Sequence, residues 1–493
     1  MIRRRAAAAL IAATVAGCSG GTAATTVQPT AFSALGDYYH QQVSWRGCTV
    51  ATGRMQCATV RVPTDYAHPG AGTTAIHLGR VASSGDARGP LLMNPGGPGG
   101  SGIEFVGLFA NAVPRLRAGY DLVGFDPRGV GASDPIHCLD TEQLDELTAT
   151  NVPPPTPEQA TRRSELIRRQ GDACRRHAGA LASHMTTVET ARDLDIVRAA
   201  LGSPRLDYYG ASYGSFLGAT YAALFPRRVG RMVLDGAVDP QLSRDQLALG
   251  QAKGFQHELD AMIDHCLAMP TCLLGDTRRQ AVRSITRMLA RAARDPLPTG
   301  DDRPLTQGLA VHGLTEGLYR PGDWPRLDLA IMVAEDGRGA PLRRFSDDYY
   351  RRREGRYASN ETEAYMAIDC LDAQAKRNQT RIPMSRFERA SPVFGAFLKA
   401  DNATCDDWPL TTTLRNPDYH LSGTPPIVVL STTGDPATPY AWGVHLAQEL
   451  GSGVLVTRVG EGHTAYAWGN PCVDEAVNAF LVAGTTPQDG LRC

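Results

Sequence analysis

Five residues, Gly210-Ala211-Ser212-Tyr213-Gly214, constrain this chain more than any other segment. They spell G-x-S-x-G, and they stand between Arg205-Leu206-Asp207-Tyr208-Tyr209, which reads as a strand, and Ser215 to Pro226, which reads as a helix. Small residues on both sides of a serine at such a junction allow a sharp strand-to-helix turn, which lifts the hydroxyl clear of the backbone at the edge of a sheet. A chain built around that turn belongs to the α/β class.

The rest of the sequence alternates accordingly. Strands are predicted at CATVRV, TAIHLGRV, PLLMN, DLVGFD, RLDYYG, RMVLDG, IVVLST and VLVTRV. Helical runs separate them, one opening at Thr186 with Glu189 at capping-box spacing. Between residues 241 and 420 the pattern turns arginine-rich and helical, with few strand candidates, before the sheet signal resumes at Ile427. The expected architecture is a mostly parallel central sheet formed by residues 45–240 and 421–493, with a large, mainly helical cap inserted between the sixth and seventh predicted strands. A chain of 493 residues exceeds the ~250–300 at which single cores stop growing, which agrees with two packed units.

The N-terminus carries a basic start, MIRRR, a short apolar run and then Val15-Ala16-Gly17-Cys18. That is the layout of an export signal over residues 1–17, too short to span a bilayer as a helix. VAGC resembles the bacterial lipobox, which makes Cys18 the expected lipidated first residue of the mature chain and residues 18–44 its tether, so that the membrane is met through the anchor alone. An ordinary signal peptide and secretion is the alternative. With Cys18 set aside, ten of the 11 cysteines remain, an even number that suits disulfides in an exported protein. Connectivity does not follow from sequence, but joining neighbours in order pairs Cys48 with Cys57, Cys138 with Cys174, Cys266 with Cys272, Cys370 with Cys405 and Cys472 with Cys493. Lys+Arg (50) and Asp+Glu (51) nearly cancel without long runs of one sign, so no nucleic-acid partner is expected.

A serine hydroxyl is a weak nucleophile and needs a base that a carboxylate orients. Asp435 follows the strand IVVLST, and His463 follows VLVTRV. Ser212, Asp435 and His463 therefore run in the chain order that α/β-hydrolases use, with acid and base in loops at the C-terminal ends of strands. The segment Asn94 to Gly102, NPGGPGGSG, directly follows PLLM, and its glycines let backbone approach a substrate. The N–H groups of Gly97 and Tyr213 are the candidate oxyanion donors. Gly97-x-Gly99-x-x-Gly102 also fits a dinucleotide fingerprint, with Asp121 and Asp126 downstream. A nicotinamide cofactor suits an exported, disulfide-bonded chain poorly, and no cofactor is expected. Arg128, in Asp126-Pro127-Arg128-Gly129, reads as the partner of a carboxylate. His257-Glu258 begins like a zinc-protease motif, but position 261 is alanine, so no metal site is expected.

Taken in order, NPGGPGGSG, DLVGFDPRGVGAS, GASYGS, RMVLDGAVDP, STTGDPATP and GEGHTAY resemble the tripeptidyl-aminopeptidase branch of the α/β-hydrolases. They are also similar to that branch's mycobacterial and actinobacterial cell-envelope lipoprotein hydrolases, described as proteases and as carboxylesterases. The resemblance runs from about residue 45 to the C-terminus. It implies Ser212 as nucleophile, His463 as general base, Asp435 as orienting acid, and Gly97 and Tyr213 as oxyanion donors. Proline iminopeptidases carry histidine in HGGPG where this chain has Pro95. The expected activity is removal of short peptides from free N-termini through an acyl-enzyme, with a carboxylesterase or lipase using the same three residues on esters as the alternative. A binding protein that has lost turnover sits poorly with a complete Ser-Asp-His set. Selection of a free N-terminus requires an acid near Ser212, and the cap segment Glu363 to Asp372 offers Asp372 first and Asp369 second. The competing reading is that these acids pair with arginines of the cap.

Overall fold

One sheet organises the chain, and its strand order explains where the serine turn sits. The computed structural model describes residues 34–493, so the export segment and Cys18 lie outside the described residues. The strands are β1 (Arg46–Val50), β2 (Gly53–Pro63), β3 (Thr73–Val81), β4 (Pro90–Asn94), β5 (Asp121–Phe125), β6 (Leu206–Ala211), β7 (Val229–Asp235), β8 (Ile427–Gly434), β9 (Gly453–Glu461) and β10 (Leu491–Arg492). They lie in the order β1-β2-β3-β5-β4-β6-β7-β8-β9-β10. The first four neighbours are joined antiparallel and all pairs from β5–β4 onward are parallel. Strands β4, β6 and β8 are covered on both faces, which is why they read as continuous apolar runs: Leu91, Leu92, Met93 and Val428 to Leu430 are essentially inaccessible.

Two strands of this sheet were not foreseen. β1 forms a hairpin with β2 that the Cys48–Cys57 disulfide staples, and β10 is a two-residue strand beside β9, held by Cys472–Cys493. Both are too short and exposed to show alternation. Counting β1 moves the insertion from after the sixth strand to after the seventh, at the same place in the sequence. The remaining bridges join Cys138–Cys174, Cys266–Cys272 and Cys370–Cys405.

The insertion is helical, as its pattern predicted. Its helices run from Arg244–Leu267 to Gly395–Asn402 and enclose a second apolar core around Leu259, Ile285, Leu314, Leu327 and Ile331. The helix Arg278–Arg294 shows why the segment is arginine-rich: Ala281, Ile285, Met288 and Ala292 form its buried stripe, while Arg283, Arg287 and Arg291 face water. No helix among the described residues is long and apolar enough to cross a membrane.

Arg128 is fully buried, and it does pair with a carboxylate. Its Nε donates to Asp193 at 2.7 Å, and the rest of its guanidinium meets Asp193 again and the carbonyls of Pro63, Thr64 and His184. Removing one partner of such a pair costs about 3–5 kcal/mol, so this residue organises the turn after β5 that backs the glycine loop.

Candidate active site

Ser212 sits between β6 and the helix Tyr213–Leu224 with φ 55° and ψ −125°, a left-handed conformation that a serine adopts only when its surroundings impose it. The imposition is visible: Ser212 N donates to the Asp235 carbonyl at 2.7 Å, and Ser215 N returns to the Ser212 carbonyl at 2.8 Å. The glycine loop after β4 lies against this turn. At Gly96, with φ +99°, an added Cβ would stand 2.6 Å from the Ala211 carbonyl and 2.9 Å from Ser212 Cβ, so only glycine permits the approach. The N–H groups of Gly97 and Tyr213 donate to no acceptor among the described residues. They are thus free to serve an incoming oxyanion.

His463 and Asp435 meet as a pair. Nδ1 of the ring lies 2.9 Å from each oxygen of Asp435, and the carboxylate also accepts from the amides of Ala437, Thr438 and Thr464 at 3.0, 2.8 and 3.1 Å. The contact fixes the proton on Nδ1 and leaves Nε2 to accept one. Burial pulls the imidazole pKa down, but the Asp435 charge and hydrogen bond, with Asp235 behind them, more than reverse this and leave it above the ordinary histidine value. The hydrogen bonds of the His463 ring to Asp435 run through Nδ1, and none joins Nε2 to the Ser212 hydroxyl. From the cap, the Tyr319 carbonyl accepts from His463 N at 3.0 Å, and its ring centroid lies 5.4 Å from the imidazole.

Asp235 is a residue the sequence reading overlooked. Buried at the end of β7, it accepts from the amides of Ala465 and Tyr466 and from the Tyr209 hydroxyl, at 2.8, 2.9 and 2.8 Å. It therefore pins the loop that carries His463 to the strand beside Ser212. Burial, opposed by those hydrogen bonds, raises its pKa to about 6. The available signal was an acid closing an apolar strand, in RMVLDG.

A family model described as "TAP-like protein" matches residues 391–493, the stretch that carries Asp435 and His463. The chain is 36% identical over 477 residues to the serine protease Hip1 of Mycobacterium tuberculosis, covering 92% of this chain and 91% of that one. It is 35% identical to carboxylesterase B of the same organism, over 92% and 90% of the two chains. To the tripeptidyl aminopeptidase of Streptomyces lividans it is 31% identical, over 92% and 86%. The chain belongs to the TAP-like serine hydrolases of the α/β-hydrolase superfamily. The relatives it is similar to thus carry names from both peptidase and esterase chemistry.

In this TAP-like hydrolase the acids expected to face the substrate are engaged elsewhere. Asp372 is buried and accepts from Thr187 N at 2.8 Å and Thr187 Oγ1 at 2.5 Å, and the same hydroxyl contacts the Tyr213 phenol. It braces the helix Thr187–Ala200 under the serine turn. Burial, countered by Thr187, pushes its pKa up to about 7. Asp369 pairs with Arg244 at 3.2 Å. Asp369 thus follows the competing reading, whereas Asp372 meets no arginine and is held by Thr187; both lie beyond the part of the helix Glu361–Ala375, Glu361 to Tyr365, that borders Gly97 and Gly99.

The start of the same helix supplies a different acid. Asn360 locks that start to the turn after β5 by bonding the Gly129 and Ile136 carbonyls at 2.8 and 2.9 Å. Cβ atoms added at Gly97 and Gly100 would stand 3.5 and 3.7 Å from Glu361 Oε1. Glu361 therefore overhangs the candidate oxyanion loop. Burial raises its pKa against the pull of Arg351, whose Nε lies 3.2 Å away, and Glu104 adds a second negative charge nearby. The residues once compatible with a dinucleotide are otherwise committed: Asp121 pairs with Arg80 at 3.0 Å, and Asp126 accepts from Ser101, Ile103 and Ala132.

Proposed function

We propose that this hydrolase removes short peptides from free N-termini, with Ser212 as nucleophile, His463 as general base and Asp435 as the acid that orients it. The observation that carries the finer reading is Glu361, a half-buried carboxylate beside Gly97 and Gly100. Ser212 attacks the scissile carbonyl while His463 Nε2 takes its proton. The oxyanion is received by Gly97 and Tyr213, each donor contributing about 3–4 kcal/mol. His463 then passes the proton to the leaving amine, and water repeats the sequence on the acyl-enzyme. A partly desolvated carboxylate is the group that selects an ammonium, since the pair it forms is poorly screened.

Glu361→Gln is expected to raise KM for peptides with a free amine about 30-fold or more, the scale of losing one partner of a desolvated pair. Hydrolysis of a small neutral ester should keep most of its rate. Equal losses on both substrates would assign Glu361 to the scaffold. If the parent enzyme prefers simple esters and N-blocked peptides over free-amine peptides, the carboxylesterase reading that the 35% identical relative supports takes its place.

For location, we infer an exported protein held to the envelope by a lipid on Cys18, supported by the VAGC segment after a basic and apolar start. Cys18→Ser should move the protein out of the membrane fraction or arrest its maturation. Unchanged membrane retention and gel mobility would rule out the anchor.

A further inference from the structure

The first cap helix, Arg244–Leu267, touches the acid and base loops with one face. Gln251 donates to the Ala437 carbonyl at 3.2 Å, and a Cβ at Gly254 would stand 2.4 Å from the Pro436 carbonyl. Glu258 lies one turn further along the same face, at the i, i+3, i+7 spacing that aligns side chains on a helix. It is wholly buried and faces the Glu461 side chain and the Gly462 amide, directly before His463. Glu461 in turn rests against Gly434, the residue before Asp435, where an added Cβ would displace its carboxylate. Neither oxygen of Glu258, nor Oε2 of Glu461, is reached by a donor in hydrogen-bonding geometry. With both Glu258 oxygens buried toward Glu461, and the Gly462 amide facing them outside bonding geometry, the arrangement favours a protonated Glu258 carboxyl.

We propose that Glu258 is a positioning residue for Asp435 and His463: as a neutral carboxylic acid it donates to Glu461 and clasps the cap to the two loops that carry them. The inference rests on the reading of Ser212, Asp435 and His463 as the reacting set. Among the described residues no cation is bonded to Glu258. Glu461 and Asp435 are both acids. His257 reaches Glu461 Oε2 only at 3.6 Å and from solvent, Arg458 donates to the Glu461 backbone carbonyl at 3.0 Å, and His463 is turned to Asp435. Burial first, then Glu461 and Asp435, pushes the Glu258 pKa up to about 9. The folded state therefore holds a proton that the unfolded chain releases above its ordinary value of 4.5. The stability this proton confers is complete below that value and is lost as pH rises toward about 9.

The test compares Glu258→Gln and Glu258→Leu with the parent, reading fluorophosphonate labelling of Ser212 and thermal unfolding from pH 6 to 10. Glutamine keeps a donor toward Glu461 and has no proton to lose. In the parent, the labelling rate should fall about tenfold one pH unit above the Glu258 pKa, and the melting temperature should decline through the same range. In Glu258→Gln both declines should flatten, and the labelling rate at pH 7 should stay close to that of the parent. Glu258→Leu leaves Glu461 Oε2 without its donor and loosens the loops, with an expected 10- to 100-fold loss of labelling, on the order produced by ångström-scale misplacement. If Glu258→Gln retains the parent's alkaline decline in both readouts, or is as impaired as Glu258→Leu at pH 7, the clasp is overturned. A parent that Ser212-directed reagents do not label would instead overturn the reacting set itself, and the melting curves would still report whether Glu258 holds a proton.

Discussion

Ser212→Ala is expected to lower turnover by as much as ~10⁶-fold, the scale seen when a serine nucleophile is removed from such a set. The fold should survive, because the strained turn is held by backbone bonds from Ser212 N to Asp235 and from Ser215 N to Ser212, and alanine keeps both. The side chain supplies only the attacking oxygen. Residual catalysis of ~10³–10⁴ over water should remain, since the free amides of Gly97 and Tyr213 and the binding surface are untouched. The decisive comparison is turnover and fluorophosphonate labelling of parent and variant at matched melting temperatures. A variant with more than a few per cent of parental activity would remove Ser212 from the chemistry.

Asp435→Asn should cost about 10⁴-fold, through the tautomer and not through the fold. An asparagine amide facing Nδ1 moves the imidazole proton to Nε2, where it blocks acceptance of the serine proton. The pH dependence separates this from a general loss of packing. Because the charge and hydrogen bond of Asp435 hold the His463 pKa above its ordinary value, the acid limb of kcat/KM in the parent lies above pH 6.5. His463 must be neutral to act, so activity rises as pH passes through that pKa. In Asp435→Asn the raising influence of Asp435 is gone while burial still lowers the pKa, and the limb of the residual activity should move to lower pH. A limb that stays in place would mean that a group other than His463 controls it. Asp235 remains in the variant and keeps part of the upward influence, so the displacement is a shift and not an abolition.

What could be read without a structure was local or ordinal. The serine turn was legible because its constraint lies within a few residues: small side chains at positions 210 and 214, a strand before and a helix after. Asp435 and His463 were legible because each follows an apolar run and the order of the three is characteristic of the fold. In-order pairing of the cysteines anticipates the bridges of the structure, the longest of which spans 36 residues. The helical cap showed itself as an arginine-rich, helical stretch with few strand candidates between two sheet signals.

The residues that give the site its character came only from tertiary structure. Sequence could single out Asp372 and Asp369 in the segment Glu363 to Asp372, but it could not say which part of that helix meets the glycine loop. Packing decided it: Asn360 fixes the helix start beside the loop, so Glu361 borders it and Asp372 turns to Thr187. Glu258 and Glu461 are separated by 203 positions, 461 less 258, and neither is distinctive until the cap folds back and buries them together. Asp235 gained its part in the same way, by receiving the amides of a loop 230 residues away. Chain order determines which groups can react. Burial and cross-domain contact determine which charges surround them, because the cost of a buried carboxyl depends on neighbours that only the folded chain assembles.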